Sequence, residues 1–194
     1  MKRDVIIAGF GGQGLLFAGE VLAYAAMLEG REVTWMPSYG PQMRGGTANC
    51  TVIVSDKPIR SPIVRRPTSV IALNQPSLDE FVSRMQAGGL LVVNSSMARY
   101  EPSQTSSPEH GAWEIQSIDV PASQIAERIG TVRVANLVAL GAYVGATHLV
   151  SHMSIETALT KIIPDSRKDL RALNMIAFQE GSKSIDRPVK LIEP

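Results

Sequence analysis

The chain is short of cysteine, of charge and of long apolar runs, and each shortage closes off a class of function. One cysteine, Cys50, stands among 194 residues. That excludes an internal disulfide, and it excludes an iron–sulfur cluster or zinc site held by cysteines of this chain. The expected compartment is a reducing cytoplasm. Charged residues make up 19% of the sequence, below the usual quarter, so some surface is expected to be covered by buried elements or by partners. The formal net charge is +1, and the densest basic group, Arg60, Arg65 and Arg66, is spread among prolines. This is not a nucleic-acid footprint, which needs clustered Lys and Arg. No apolar stretch reaches 18 residues without interruption, so no membrane span is expected. Met1-Lys2-Arg3-Asp4 leads straight into a strand-like run, leaving no room for a signal peptide.

Catalytic constellations are scarce as well. No Ser-His-Asp set can be nominated, and no residue reads as a nucleophile or a general base. His148 and His152 have the i,i+4 spacing of a helical metal pair. They flank an expected helix end and have no third ligand nearby, so no metal site is expected. Cys50, on a strand, reads as a small buried hydrophobe.

What is present is an alternation of strands and helices. Val5–Ala8 is a short apolar run, expected as a fully buried first strand. A helix from Leu15 to Glu29 follows, closed by Gly30. It is apolar nearly all round, so it must be buried on more than one side, by this chain or by another. Further strands are expected at Glu32–Met36, Thr47–Ser55, Ser69–Leu73, Leu90–Asn94, Glu114–Val120 and Val132–Ala135. Ile59–Arg66, broken by prolines, reads as an edge or connecting segment. Pro76 opens a helix to about Ala87, and Ser95–Gly111 reads as a surface loop. Pro121 opens a short helix to Ile129. Asn136 is the expected N-cap of an apolar helix carrying Gly141 and Gly145, whose spacing lets another helix pack closely. Ser154 and Asp165 are expected to start the last two helices, ending before Pro164 and near Gln179. The fold class is α/β, a three-layer α/β/α arrangement with a mainly parallel Rossmann-like sheet. Residues 1–180 are expected as one domain and 181–194 as a polar tail.

Two loops at strand ends attract attention. Gly9-Phe10-Gly11-Gly12-Gln13-Gly14 fits G-x-G-x-x-G between a strand and a helix, the context the dinucleotide fingerprint needs. Glycines there permit a tight turn and let backbone N–H groups approach a phosphate. The other reading is a turn for helix–sheet packing, with no ligand. The fingerprint also wants an acidic residue about 20 positions on, at the end of the second strand. Met36-Pro37-Ser38-Tyr39 supplies none, and Glu29 and Glu32 lie on the wrong side. An anion other than a dinucleotide fits better. The second loop, Tyr39 to Gly46, should neighbour the first, because ligands in open α/β sheets sit beyond the carboxyl ends of strands. Arg44 suits a carboxylate or phosphate, and Gly45-Gly46 allows a sharp turn or a close approach. A structural ion pair and a plain turn are the alternatives.

Gly9 to Gly14, then Pro37-Ser38-Tyr39-Gly40-Pro41, then Arg44-Gly45-Gly46, resemble the gamma subunit of 2-oxoacid:ferredoxin oxidoreductases. Ala72-Leu73-Asn74-Gln75-Pro76, Gly88-Gly89 and Val134-Ala135-Asn136 before Leu140-Gly141-Ala142 match too. The likeness runs from about residue 3 to 165 and looks closest to the 2-oxoglutarate or generic oxoacid type. The small subunit of indolepyruvate oxidoreductase has a similar opening. The resemblance implies an α/β domain that packs against alpha and beta subunits, and a delta (ferredoxin-like) subunit where present, and that helps bind coenzyme A at a shared site. It implies thiamine diphosphate with magnesium in the alpha and beta subunits, and iron–sulfur clusters on beta or delta. The implied reaction is oxidative decarboxylation of a 2-oxoacid to an acyl-CoA with reduction of ferredoxin. The chain alone would bind no cofactor, would be inactive, and would form a homodimer when isolated. The implied cofactor-binding residues are Gly9, Gly11, Gly12, Gln13, Gly14, Ser38, Tyr39, Arg44, Gly45 and Gly46. The pattern departs from many relatives at Asn94, where an acidic residue is expected, and at Thr68, where Asp is common. An independent Rossmann-type oxidoreductase and a purely structural subunit are the competing readings.

Overall fold

The computed structural model describes residues 1–39, 47–107 and 111–185. Its centre is a six-stranded sheet in the order β2-β3-β1-β4-β5-β8, made of β1 (Lys2–Phe10), β2 (Glu32–Tyr39), β3 (Thr47–Ser55), β4 (Ser69–Ala72), β5 (Leu90–Asn94) and β8 (Gln116–Val120). A separate two-stranded ladder joins β6 (Ser106–Ser107) to β7 (Gly111–Ala112). β1, β4, β5 and β8 pair in parallel; β3 runs antiparallel to both β1 and β2. The carboxyl ends of β1, β2, β4, β5 and β8 therefore share one edge of the sheet.

Alternate residues of each strand face opposite sides. Val5 and Ile7 of β1 point into the larger core, and Ile6 and Ala8 into a smaller one. Burial on both faces explains why β1 is a continuous apolar run. The two layers are unequal. The large core is covered by α1 (Leu15–Leu28), α3 (Ala122–Ile129), α4 (Ala135–Thr147), α5 (His152–Ile162) and α6 (Lys168–Lys183). The small core holds α2 (Gln75–Val82) with Ala98, Tyr100 and Ile115. The apolar character of α1 is used within this chain: it packs on β2 and β3 and against α4 and α5.

α4 and α6 interlock through glycines. A Cβ on Gly141 would collide with the Phe178 carbonyl, and one on Gly181 with the Val138 carbonyl. A Cβ on Gly145 would lie 2.8 Å from Ser182 Oγ. The close approach leaves Phe178 and Tyr143 fully buried; burying a Phe side chain stabilises by about 1.5–3 kcal/mol.

Several boundaries differ from the sequence expectation, each for a local reason. β2 runs past Pro37 because an edge strand need not supply every N–H to a ladder. α2 stops at Val82 because the Gln86 N–H goes to the Pro67 carbonyl at 2.9 Å. Val132–Val134 is a 3₁₀ turn rather than a strand, with the Thr131 hydroxyl accepting from the Arg133 N–H at 3.3 Å. α4 starts at Ala135, so Asn136 lies inside its first turn and caps nothing. α5 is capped by Ser151, not Ser154: the Ser151 hydroxyl accepts from Ser154 N–H at 3.1 Å. α6 continues through Lys183, so residues 181–183, expected in the tail, belong to the helix. Part of the expected loop at 95–111 is ordered into a 3₁₀ turn at Pro102–Gln104 and the β6–β7 ladder.

At the opposite edge, Thr68 answers Asp4. The Thr68 N–H donates to Asp4 Oδ1 at 2.8 Å, and its hydroxyl donates to the Asp4 carbonyl at 2.8 Å. Burial pushes the Asp4 carboxyl up, partly offset by Thr68, Lys2 and Arg3. An aspartate at 68 would face this carboxylate without a hydroxyl to donate, which explains the departure noted above.

Gly141→Ala or Gly181→Ala lowers stability by about 1–3 kcal/mol through overpacking. Gly11→Ala, whose Cβ would meet nothing within 4 Å, leaves the denaturant midpoint unchanged. Thr68→Asp places two buried carboxylates together, so their folded-state pKa values rise above the unfolded ones. Stability is then retained at low pH and lost as pH climbs through those raised values. Asp4→Asn in the same chain recovers most of the loss at pH 7; urea titrations at pH 4 and pH 7 read the difference.

Candidate functional site at the carboxyl edge of the sheet

The glycine loop links β1 to α1 at this edge. Gly12 and Gly14 have φ of +97° and +72°, a region L side chains rarely adopt. A Cβ on Gly9 would press on Gln13 Oε1 at 2.6 Å and on Leu73 Cβ at 3.2 Å. These three glycines are required by the chain's own turn and packing. Gly11 is different: it is exposed and nothing lies within 4 Å of where its Cβ would be.

Gln13 pins the loop. Its amide oxygen accepts from the Phe10 N–H at 2.6 Å and from Asn74 Nδ2 at 3.0 Å. Asn74 itself caps α2, accepting from the Ser77 N–H at 3.0 Å. Asn136 closes the loop from α4, donating to the Gly14 carbonyl at 2.7 Å. Gly14 begins α1 without any side-chain cap, so the first-turn N–H groups of that helix are offered to whatever approaches.

Across the edge, Asn94 at the end of β5 is 1% exposed. Its Nδ2 donates to the Leu73 carbonyl at 3.2 Å and to Ser123 Oγ at 2.9 Å; its Oδ1 accepts from the Ser123 N–H at 3.2 Å. One amide thus ties β4, β5 and α3. A carboxylate could accept from the Ser123 N–H and hydroxyl but could donate nothing to the Leu73 carbonyl, which favours Asn here.

Between these groups lies a cleft of about 110 Å³ lined by Gly12, Gln13, Leu73, Asn94, Met97, Ser123, Val132, Arg133 and Ala135. No acidic side chain lines it among the described residues. Met97 and Val132 add exposed apolar surface at its mouth.

The glycine-loop residues nominated from sequence are therefore brought together, with Gln13 acting inside the fold as a tie. Ser38, exposed, and Tyr39 end β2, two strands away from β1, about 10 Å at the usual strand spacing. The exit of the second loop is closer: Thr47 is the ladder partner of Phe10. Arg44, Gly45 and Gly46 lie outside the described residues. The sequence singled out neither Arg133 nor Ser123, marked Asn94 only as a departure from the family pattern, and read Asn136 only as a helix cap. A lone arginine between apolar residues, in Thr131-Val132-Arg133-Val134, was the available signal.

Other candidates fall elsewhere. Glu29 lies at the far end of α1, where its carboxylate accepts from the Ser151 N–H at 2.7 Å. Burial pushes it up, but Ser151, Ser154 and Arg31 together hold it below its ordinary range. His148 ends α4 with φ of +50°, while His152 opens α5 and packs edge-on against Phe178. The two histidines therefore share no helix. Cys50 is wholly buried, and burial pushes its thiol up to about 12. No group of three or more metal-ligating side chains occurs among the described residues. No helix among them is long and apolar enough to cross a membrane.

The model of the pyruvate ferredoxin/flavodoxin oxidoreductase family matches residues 4–184, and the chain belongs to that family. It is 35% identical over 187 residues to a 2-oxoglutarate synthase subunit KorC of Methanothermobacter marburgensis, covering 95% of this chain and 97% of that one. It is 47% identical over 137 residues to a ketoisovalerate oxidoreductase subunit VorA of Methanothermobacter thermautotrophicus, covering 71% of this chain. The match spans only 27% of that longer relative. Among solved structures, a keto/oxoacid ferredoxin oxidoreductase gamma subunit of Geobacter sulfurreducens superposes with a TM-score of 0.79 at 32% identity, over 95% of this chain and 96% of that one. The fold also matches a third of the 2-oxoglutarate:ferredoxin oxidoreductase chain of Magnetococcus marinus, solved with 2-oxoglutarate, coenzyme A and succinyl-CoA. There the TM-score is 0.82 and the identity 22% over the whole of this chain.

Asn94→Asp removes the bond donated to the Leu73 carbonyl and buries a charge in a site that is 1% exposed. The expected loss is about 2–3 kcal/mol at pH 7, smaller below pH 4 where the new carboxyl is neutral; thermal unfolding at the two pH values measures it.

Proposed function

We propose that this chain is the gamma subunit of a multisubunit 2-oxoacid:ferredoxin oxidoreductase, acting in the cytoplasm and inactive alone. The enzyme converts a 2-oxoacid and coenzyme A to an acyl-CoA and carbon dioxide while reducing ferredoxin. The observation that carries this reading is the full-length likeness to KorC and to the Geobacter gamma subunit, each above 30% identity. The donor set agrees. A single buried thiol with its pKa pushed up to about 12 cannot hold an iron–sulfur cluster. Thiamine diphosphate, magnesium and clusters then belong to alpha, beta and delta partners.

This chain's own share is a wall of the coenzyme A site. Exposed Gly11 and Gly12 let a ligand approach the backbone, and uncapped N–H groups at the start of α1 favour an anion. Ser38, Tyr39, Arg44, Gly45 and Gly46 complete the site from the second loop. The cleft is smaller than the roughly 300–1,000 Å³ of pockets that hold a whole drug-sized ligand, so most of the molecule would rest on other subunits.

Tagged chain expressed with its neighbouring genes should co-purify with a thiamine-binding chain and a ferredoxin-like chain. The assembly should reduce ferredoxin with a 2-oxoacid and coenzyme A. Activity from the isolated chain, or tight calorimetric binding of NAD or NADP to it, would overturn the reading.

A further inference from the structure

The coenzyme A reading leaves open which cation on this chain meets the ligand's negative charge. The sequence pointed to Arg44, on the second loop. The structure offers another. Arg133 sits on the 3₁₀ turn between α3 and α4, and its side chain lines the cleft opposite Gly12 and Gln13. It is exposed, and its guanidinium makes no hydrogen bond or ion pair with any described residue. The turn that presents it is fixed at both ends. The Thr131 hydroxyl accepts from the Arg133 backbone N–H, and Val134 behind it is buried. An arginine held on a rigid turn, over a cleft lined by no carboxylate, presents a planar fork that matches phosphate oxygens. The cleft, about 110 Å³, has room for a phosphoryl group beside the guanidinium.

We infer that Arg133 is the residue of this chain that binds a phosphate of coenzyme A, and so sets its preference for that acceptor. The inference rests on the coenzyme A reading above. Its chemistry is shared by the diphosphate and the 3′-phosphate of the ligand, so the test separates them.

The assembled enzyme is assayed with 2-oxoglutarate and with ketoisovalerate, comparing wild type, Arg133→Met, Arg133→Lys and Gly11→Val. Assembly of each is checked by size-exclusion chromatography. Loss of a charge-assisted bond is expected to raise KM for coenzyme A about tenfold or more in Arg133→Met, with KM for the oxoacid unmoved and partial recovery in Arg133→Lys. Dephospho-coenzyme A identifies the group. If the 3′-phosphate is the partner, wild type and Arg133→Met have similar KM for it. If the diphosphate is, the difference persists. Either result supports the role. If Gly11→Val raises KM for coenzyme A and Arg133→Met stays within twofold, Arg133 is excluded and the coenzyme A reading stands. If neither variant moves it, that reading fails and the inference fails with it.

Discussion

The side-chain amide of Gln13 holds the working edge of the molecule together. Its oxygen takes the Phe10 N–H within its own loop and the Asn74 amide from the end of β4. Without those bonds the glycine turn would have no fixed path, because glycines that permit positive φ also permit much else. Asn136 adds the third tie by gripping the Gly14 carbonyl, and Asn94 repeats the device one strand further on. Three amides, each bridging elements distant in sequence, define the cleft. Neutral amides suit this task because each carries both donor and acceptor atoms and buries no charge; Asn136 uses only its donor here.

That edge is held in place by an asymmetric body. Among the described residues, five helices lie on one side of the sheet, α5 and α6 packing over α1 and α4, and one helix lies on the other. The crowding is possible because α4 and α6 touch backbone to backbone at Gly141 and Gly181. The α1 N-terminus, the glycine turn and Arg133 give the cleft donors and no carboxylate among the described residues.

The secondary structure was largely legible. β3 and β5 fell on their expected residues, and the apolar α1 and α4 were recognised as buried from their lack of a polar face. The glycine spacing in α4 correctly announced a close helix partner, though α6 could not be named as that partner. The misses have two causes. α2 stopped early and Asn136 left its capping role because bonds to Pro67 and Gly14, distant in sequence, outweighed local preference, whereas Val132–Val134 turned because the neighbouring Thr131 hydroxyl caps it. Of the candidate site, the glycine loop was visible as a motif, whereas Asn94, Asn136, Ser123 and Arg133 were not. Single polar residues carry no periodic signature, and their meaning comes from neighbours 29 or 122 positions away.

The sequence alone determined the α/β class, the buried strands, the glycine turn and the want of cysteines for an iron–sulfur cluster or zinc site of this chain's own. These depend on composition, on period and on the backbone freedom of particular residues, all of them local properties. Tertiary structure decided the rest. It separated Gly9, Gly12 and Gly14, which the fold itself requires, from Gly11, which it does not. It split His148 from His152, and it set Arg133 rather than an acidic residue over the cleft. Those outcomes depend on which surfaces meet, and that is fixed only when distant segments pack.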